Sequence, residues 1–221
     1  MIKDFEFSIV FCDDLELTDC LGNKIYGGSC QDCQLSSIDG RVLLFCEREA
    51  ESLADAVFKI LHELKEVGLA HKVLCVDPSD LVSQIQIGKR LERTRQQIHQ
   101  YVSGVRGPGN FPKPVRYSEE RKPVWSWSAV LHWFSDRKIM NVTEALAKSA
   151  EQLAIINGFL ANFHHRRTNA TTFSNVEYRM REIVFSEGFS ARIPWDLQGP
   201  VDLAPVIRER AIENESWAVG T

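Results

Sequence analysis

No apolar stretch in the chain approaches the roughly 20 residues a helix needs to span a bilayer, so no membrane partner is expected. The opening Met-Ile-Lys-Asp-Phe-Glu-Phe sets acids inside its first apolar run, which does not fit a signal peptide, and a cytoplasmic chain is expected. A phosphate-cradling glycine loop is missing, as are His-Glu-x-x-His and any nucleophile with a base beside it. The expectation is a protein that is not an enzyme and holds no cofactor. A second Cys-x-x-Cys knuckle is also lacking. Cys30 and Cys33 form the one such pair, and a strong zinc site would show two. With Cys12 and Cys20 the pair would still offer four thiolates, so zinc is the alternative to plain thiols. A thioredoxin-type pair would precede a helix, whereas Cys33 enters a strand. Cys12, Cys20, Cys30, Cys33, Cys46 and Cys75 all lie in the first third, several inside apolar strands. A reducing cytosol would keep them as small buried thiols.

What is present is ordinary in amount and uneven in placement. Hydrophobic residues make up 44% and charged residues 25%, the composition of a soluble globular chain. The 221 residues suffice for one large domain or two small ones with a tail. Net charge is −4, which alone argues against a nucleic-acid partner. Between Ser79 and Met140, however, eleven Lys and Arg face five Asp and Glu, a local net of +6. The remainder carries fifteen basic against twenty-five acidic residues, a net of −10. A basic middle between acidic flanks is the footprint of a nucleic-acid surface on an otherwise acidic protein.

Residues 1–77 read as a small α+β domain. Phe5, Phe7, Ile9 and Phe11 alternate with Glu6, Ser8 and Val10, the period of a strand. A short helix is expected within Leu15 to Tyr26, stopped by Gly27-Gly28. Strands at Gln31 to Ile38 and Arg41 to Cys46 flank Asp39-Gly40, a hairpin turn signal. Ser52 to Val67 reads as an amphipathic helix with Ser52 as cap, Asp55 as its capping-box partner and Gly68 as terminator. Lys72 to Val76 is a last strand, broken by Asp77-Pro78. The order β-α-β-β-α-β is the ferredoxin-like pattern, which hosts many functions and names none.

Residues 79–138 carry the functional argument. In Ser83-Gln-Ile-Gln-Ile-Gly-Lys-Arg-Leu-Glu-Arg-Thr-Arg-Gln-Gln-Ile-His-Gln-Tyr-Val, Ser83 caps a short helix whose inner face is Ile87 and Leu91. Gly88 is small, as a close helix crossing requires. Thr94 caps a second helix with Ile98, Tyr101 and Val102 inward and Arg95, Gln96, His99 and Gln100 outward, and Gly104 ends it. Two short helices joined tightly, the second polar and basic outside, make a helix-turn-helix layout. Arg and Gln are the side chains that pair bidentately with guanine and adenine. A Gly- and Pro-rich loop follows, then strands at Val115 to Tyr117 and Val124 to Trp125 around the polar turn Ser118 to Lys122. Ser126 or Ser128 then caps a helix burying Val130, Leu131 and Phe134. Trp125, Trp127 and Trp133 are read as core.

On these residues, Leu81 to Phe134 resembles the MerR, excisionase and AlpA-type winged helix-turn-helix proteins. The shared features are the two helices, the Phe-Pro-Lys-Pro-Val entry to the wing and the Val-Trp-Ser-Trp-Ser-Ala-Val exit. The wider arrangement resembles bacterial proteins with a small α+β segment before such a domain. The resemblance implies that Thr94 to Gln100, Gln97 included, enter the major groove of double-stranded DNA. It implies that Arg106, Lys113, Arg116, Arg121 and Lys122 contact phosphate or the minor groove, with Ser83 and Gln84 also at the interface. One departure stands out. Glu92 occupies a turn position where the family has Gly, and Arg93 one where a small apolar residue is usual, so Glu92 must adopt a conformation Gly prefers.

Residues 140–167 read as one long amphipathic helix, about Thr143 to Phe163. Leu146, Leu153, Ile156, Leu160 and Phe163 form a seam for a homodimer or for packing on the chain's own domains. Residues 168–221 read as a helical and extended tail. A helix is expected from Ser174 to Phe185, a docked segment around Phe189, Ile193, Trp195 and Leu197, and a last helix from Leu203 to Ile212. The fold class expected is α+β: a ferredoxin-like N-domain, a central winged helix-turn-helix and a helical C-terminal region. The function expected is that of a sequence-specific transcriptional regulator. The alternative is an antitoxin or phage-defence component whose tail, 168–221, binds a protein partner.

Overall fold

The computed structural model describes residues 2–184 except Ser29, Glu119 and Glu120. The expected segment around Phe189 to Leu197 and the expected helix Leu203 to Ile212 lie outside the described residues. Met1–Ala170 forms one compact unit and Thr171–Thr221 a second. The chain is mixed α+β, with two antiparallel sheets among the described residues.

The first sheet contains β1 (Lys3–Phe11), β2 (Gln34–Ile38), β3 (Arg41–Ala50) and β4 (Val73–Asp77), in the order β2-β3-β1-β4. Helices α1 (Asp19–Tyr26) and α2 (Leu53–Glu66) connect them. β2 and β3 are joined by Asp39 at φ 52° and Gly40 at φ 80°. Two successive left-handed residues match the right-handed twist of the flanking strands, which is why Asp-Gly forms this turn. Ser52 Oγ accepts the Asp55 N–H at 3.1 Å, as a cap should. The Asp55 carboxylate, however, takes the Ser52 hydroxyl at 2.6 Å rather than the Ser52 N–H of a full capping box. Aspartate is one methylene shorter than the glutamate that usually closes the box. β1 departs from simple alternation. Ile9, Val10 and Phe11 are all buried, and since successive side chains point to opposite faces, the end of β1 is covered on both.

The second sheet contains β5 (Leu81–Ser83), β6 (Arg116–Tyr117) and β7 (Pro123–Ser126), in the order β5-β7-β6. Helices α3 (Gln84–Arg90) and α4 (Arg95–Val102) lie between β5 and β6, and α5 (Trp127–Asp136) follows β7. β5 was not expected. It pairs Val82 with Trp125, more than forty residues away, and no local pattern announces so short a strand.

Helix α6 (Glu144–Thr168) runs past both sheets, five residues beyond the expected end. Its first half buries Ala147 and Ala150 in the core of Trp125, Leu131 and Phe134. Its middle buries Leu153 and Ile156 in the core of Ile9, Leu44 and Ile60. Asn157 then closes the open edge of the first sheet. Its Oδ1 accepts the Val76 N–H at 2.7 Å and its Nδ2 donates to the Val76 carbonyl at 2.7 Å. One amide thus satisfies both outward groups of an edge residue that would otherwise offer a template for pairing. Of the five residues expected on a dimer seam, Leu153 and Ile156 are therefore covered by their own chain, and Leu160 packs on the same core. Leu146 and Phe163 are exposed. Helix α7 (Ala170–Val184) begins four residues before the expected Ser174.

Candidate nucleic-acid interface

The central region is built on aromatic packing that leaves its cations outside. Trp125, Trp133 and Phe134 are buried, and Tyr101 of α4 meets Phe134 edge-on at 5.3 Å between ring centres. Trp125 Nε1 donates to the Pro112 carbonyl at 3.0 Å and Trp133 Nε1 to the Gly109 carbonyl at 3.2 Å. The loop after α4 is rich in Gly and Pro and makes no sheet of its own, so these two indoles fasten it to the core. Asp80 fastens the other side, where its carbonyl accepts the Trp127 N–H at 2.6 Å and its carboxylate the Ser128 N–H at 2.9 Å. Of the two expected caps, Ser126 is the one that caps α5, accepting the Ala129 N–H at 3.2 Å.

Each helix of the α3–α4 pair starts with a complete capping box. Ser83 exchanges hydrogen bonds with Gln86, and Thr94 exchanges them with Gln97. Between the helices, Glu92 stands at φ 54°, the left-handed region. The Arg93 N–H donates to the Gly88 carbonyl at 2.8 Å and the Glu92 N–H to the Lys89 carbonyl at 3.2 Å. These are the two bonds of a Schellman motif, with glutamate where glycine is preferred. The same turn explains Gly88. A Cβ there would lie 2.7 Å from the Arg93 carbonyl oxygen, so the close approach is of α3 to the turn backbone.

The expected contact residues separate into three groups. Arg95, Gln96 and His99 are exposed on α4, and Arg106, Lys113, Arg116, Arg121 and Lys122 are exposed after it. Ser83, Thr94 and Gln97 are engaged in the caps, so they position the helices, and the Gln97 carbonyl is occupied by the Thr94 N–H at 3.0 Å. Gln84 and Gln100 are half-buried, and Gln84 Nε2 is enclosed with no hydrogen-bond partner among the described residues. Arg106 stacks over the Tyr101 ring at 5.5 Å, which holds a cation beside the C-terminal end of α4. Arg93 was not among the expected contacts, yet it is exposed immediately before α4. Tyr117, likewise outside the expected set, is 64% exposed on β6. The signal for both was position: a cation in the turn and an aromatic among cations on a hairpin. Among the described residues, Arg93, Arg95, Arg106, Lys113, Arg116 and Arg121 have no ion-pair partner.

No protein-family model, curated protein or solved structure matches the chain. What this region can do follows from its own residues. An exposed helix face of Arg, Gln and His, beside a hairpin carrying further Arg and Lys, is suited to a polyanion that also presents hydrogen-bonding edges.

The cysteines are arranged differently from the four-thiolate set. Cys33 Sγ lies 3.5 Å from Cys46 Sγ, and Cys30 donates to Glu63 at 3.3 Å. Cys12 donates to the Lys72 carbonyl at 2.8 Å, and Cys20 is exposed on α1. Among the described residues no group of three Cys, His, Asp or Glu is placed to hold a metal ion.

Proposed function

We propose that this chain is a sequence-specific double-stranded DNA-binding regulator whose central region, residues 79–138, is a winged helix-turn-helix behind a ferredoxin-like N-terminal domain. The observation that carries the reading is the row of exposed cations without ion-pair partners, from Arg93 and Arg95 to the hairpin's Arg116 and Arg121. Solvated cations held on a rigid scaffold and not neutralised by their own chain are what phosphate binding uses. The fold reading is supported by the strand order β2-β3-β1-β4 with crossing helices and by the sequence of elements β5-α3-α4-β6-β7-α5. In this mechanism α4 lies in the major groove, with Arg95, Gln96 and His99 at base edges. Arg106, Lys113, Arg116, Arg121 and Lys122 anchor phosphates, and the caps at Ser83 and Thr94 hold α3 and α4 at their angle.

Selection from a pool of random duplexes tests it. The unmodified chain enriches a motif. Arg95→Ala relaxes preference at particular positions of that motif by about 1–3 kcal/mol, while Lys113→Ala weakens every sequence and reduces the salt slope by about one. A chain that enriches no motif and shows no salt-dependent duplex binding removes the reading.

A further inference from the structure

The two-residue turn at Asp39-Gly40 sets the hydrogen-bonding phase of the β2–β3 ladder. In such a hairpin the residues flanking the turn, here Ile38 and Arg41, exchange both backbone bonds. Hydrogen-bonded and non-hydrogen-bonded pairs then alternate away from the turn. Leu35–Leu44 is thus a non-hydrogen-bonded pair, and the Leu35 N–H turns away from β3 to donate to the Tyr26 hydroxyl at 3.0 Å. Two residues further from the turn, Cys33 stands opposite Cys46 in the same phase. The Cys33 N–H likewise turns away, to the Cys30 carbonyl at 3.2 Å. Pairs of this kind hold their Cα atoms about 4.5 Å apart, within the roughly 4.4–6.8 Å that a disulfide spans. The two sulfurs lie 3.5 Å from each other, and both side chains are buried.

We infer that Cys33 and Cys46 form an oxidisable dithiol, which hydrogen peroxide closes to a cross-strand disulfide fastening β2, the outer strand of the first sheet, to β3. Cys30 is the nearest rival partner, but its thiol donates to the Glu63 carboxylate of α2 at 3.3 Å. The other cysteines are engaged or placed elsewhere: Cys12 donates to the Lys72 carbonyl, Cys20 is exposed on α1 and Cys75 lies on β4. A polar hollow of about 510 Å³ reaches the strands here, with Asp32, Gln34 and Cys46 on its lining, and gives a small polar oxidant a route to the pair. One thiol, as thiolate, attacks a peroxide oxygen and becomes a sulfenic acid, and the hydroxide released takes up that thiol's proton as water. The second sulfur then displaces hydroxide from the first, which leaves as a second water with the second proton. Two thiols and one hydrogen peroxide thereby give one disulfide and two waters, the peroxide taking both electrons. The sulfurs are shielded, so closure takes on the order of minutes to hours, the pace of a lasting modification and not of a catalytic turnover. A small thiol reverses it by exchange. The bond lies wholly within the first sheet and does not depend on what the central region binds.

Treating the folded full-length chain with hydrogen peroxide, then denaturing it, alkylating the remaining thiols and mapping the peptides, tests this assignment. The unmodified chain loses the mass of two hydrogen atoms, two of its six cysteines escape alkylation, and the peptides of Cys33 and Cys46 are found joined. Dithiothreitol restores both thiols. Cys46→Ala abolishes the loss, whereas Cys30→Ala leaves it in place. Mapping the unmodified chain needs no variant, so a Cys46→Ala chain that fails to fold leaves the result readable. Cys33 and Cys46 alkylated in full after peroxide overturn the inference. Sulfurs that gain oxygen without joining overturn it too, as does a bridge between Cys30 and Cys33.

Discussion

In the N-terminal layer both arginines and one lysine are matched by acids. Arg41 pairs with Asp13, Lys72 with Asp14, and Arg48 with both Asp32 and Glu63. In the central region the arginines that are held at all are held by ring faces and carbonyls: Arg90 over Trp127 at 5.2 Å, Arg106 over Tyr101, Arg137 over Trp133 at 5.0 Å. A carboxylate partner cancels an arginine's charge, whereas a ring face orients it and leaves the charge in place. Both regions are stable arrangements of guanidinium groups, but those of the central region keep their charge uncancelled by a carboxylate.

The comparison predicts opposite outcomes for the same kind of change. The Arg48 side chain is only 12% exposed, and its Nη2 lies 2.8 Å from Glu63. Arg48→Met strands Glu63 beside the Cys30 thiol and should lower stability by about 2–3 kcal/mol, somewhat less than a fully buried pair because Asp32 is half in water. Chemical denaturation reads it. Arg95→Ala should shift stability by less than about 0.5 kcal/mol and act on duplex binding instead. If Arg95→Ala destabilises the fold as much as Arg48→Met does, the division between structural and outward-facing cations is lost.

Asn157 sharpens the same contrast, since it is the polar group by which α6 holds the first sheet, while α6 meets the second region through Ala147 and Ala150. Asn157→Ala leaves the Val76 N–H and carbonyl without that partner and should cost about 1–3 kcal/mol. Hydrogen exchange should rise at Val76 first and remain slow at Trp125. Equal loss of protection in both regions would mean that α6 and the two cores unfold as one.

The Cys30, Cys33 and Cys46 thiols differ from the central cations in being buried. The Cys30 thiol draws Cys33 down, but the hydrogen bond to Cys46 and burial outweigh it and push Cys33 up to about 12 from the ordinary 9.0. Above pH 9 the unfolded chain releases this proton while the folded chain keeps it, so stability falls as pH rises from 9 toward 12. By pH 10 the loss is about 1 kcal/mol from this group. Melting curves of Cys33→Ala should show a shallower decline over that interval than the unmodified chain.

Local signals in the sequence were readable because their physics is local. Asp39-Gly40, Ser52, Ser83 and Thr94 act within four residues of themselves, and each does in the structure what its residue type favours. Two kinds of feature were not readable. The β5–β7 pairing joins distant segments, and the stripe of α6 serves two cores in turn, so a periodic pattern alone does not say what covers it. At the candidate interface, exposed residue types were legible, but competition was not. Gln97 looks like a base-reading side chain and is also the natural partner of Thr94, and the shorter-range bond takes its carbonyl.

The smallest expected effect concerns the turn that sets the angle between α3 and α4. Glu92 holds a left-handed backbone, which costs a non-glycine residue roughly 1–2 kcal/mol. Glycine removes that strain but has more freedom to lose on folding, worth roughly 0.5–1 kcal/mol. Glu92→Gly should therefore stabilise the chain by under about 1 kcal/mol. The substitution also removes an exposed acid from beside Arg93 and α4, so duplex affinity should rise slightly and its salt dependence should steepen. Glu92→Ala separates the two effects, since it removes the acid and keeps the strain. If Glu92→Ala raises affinity as much as Glu92→Gly without the gain in stability, the acid tempers the cations beside it. If neither raises affinity, Glu92 lies outside the field that the central region presents.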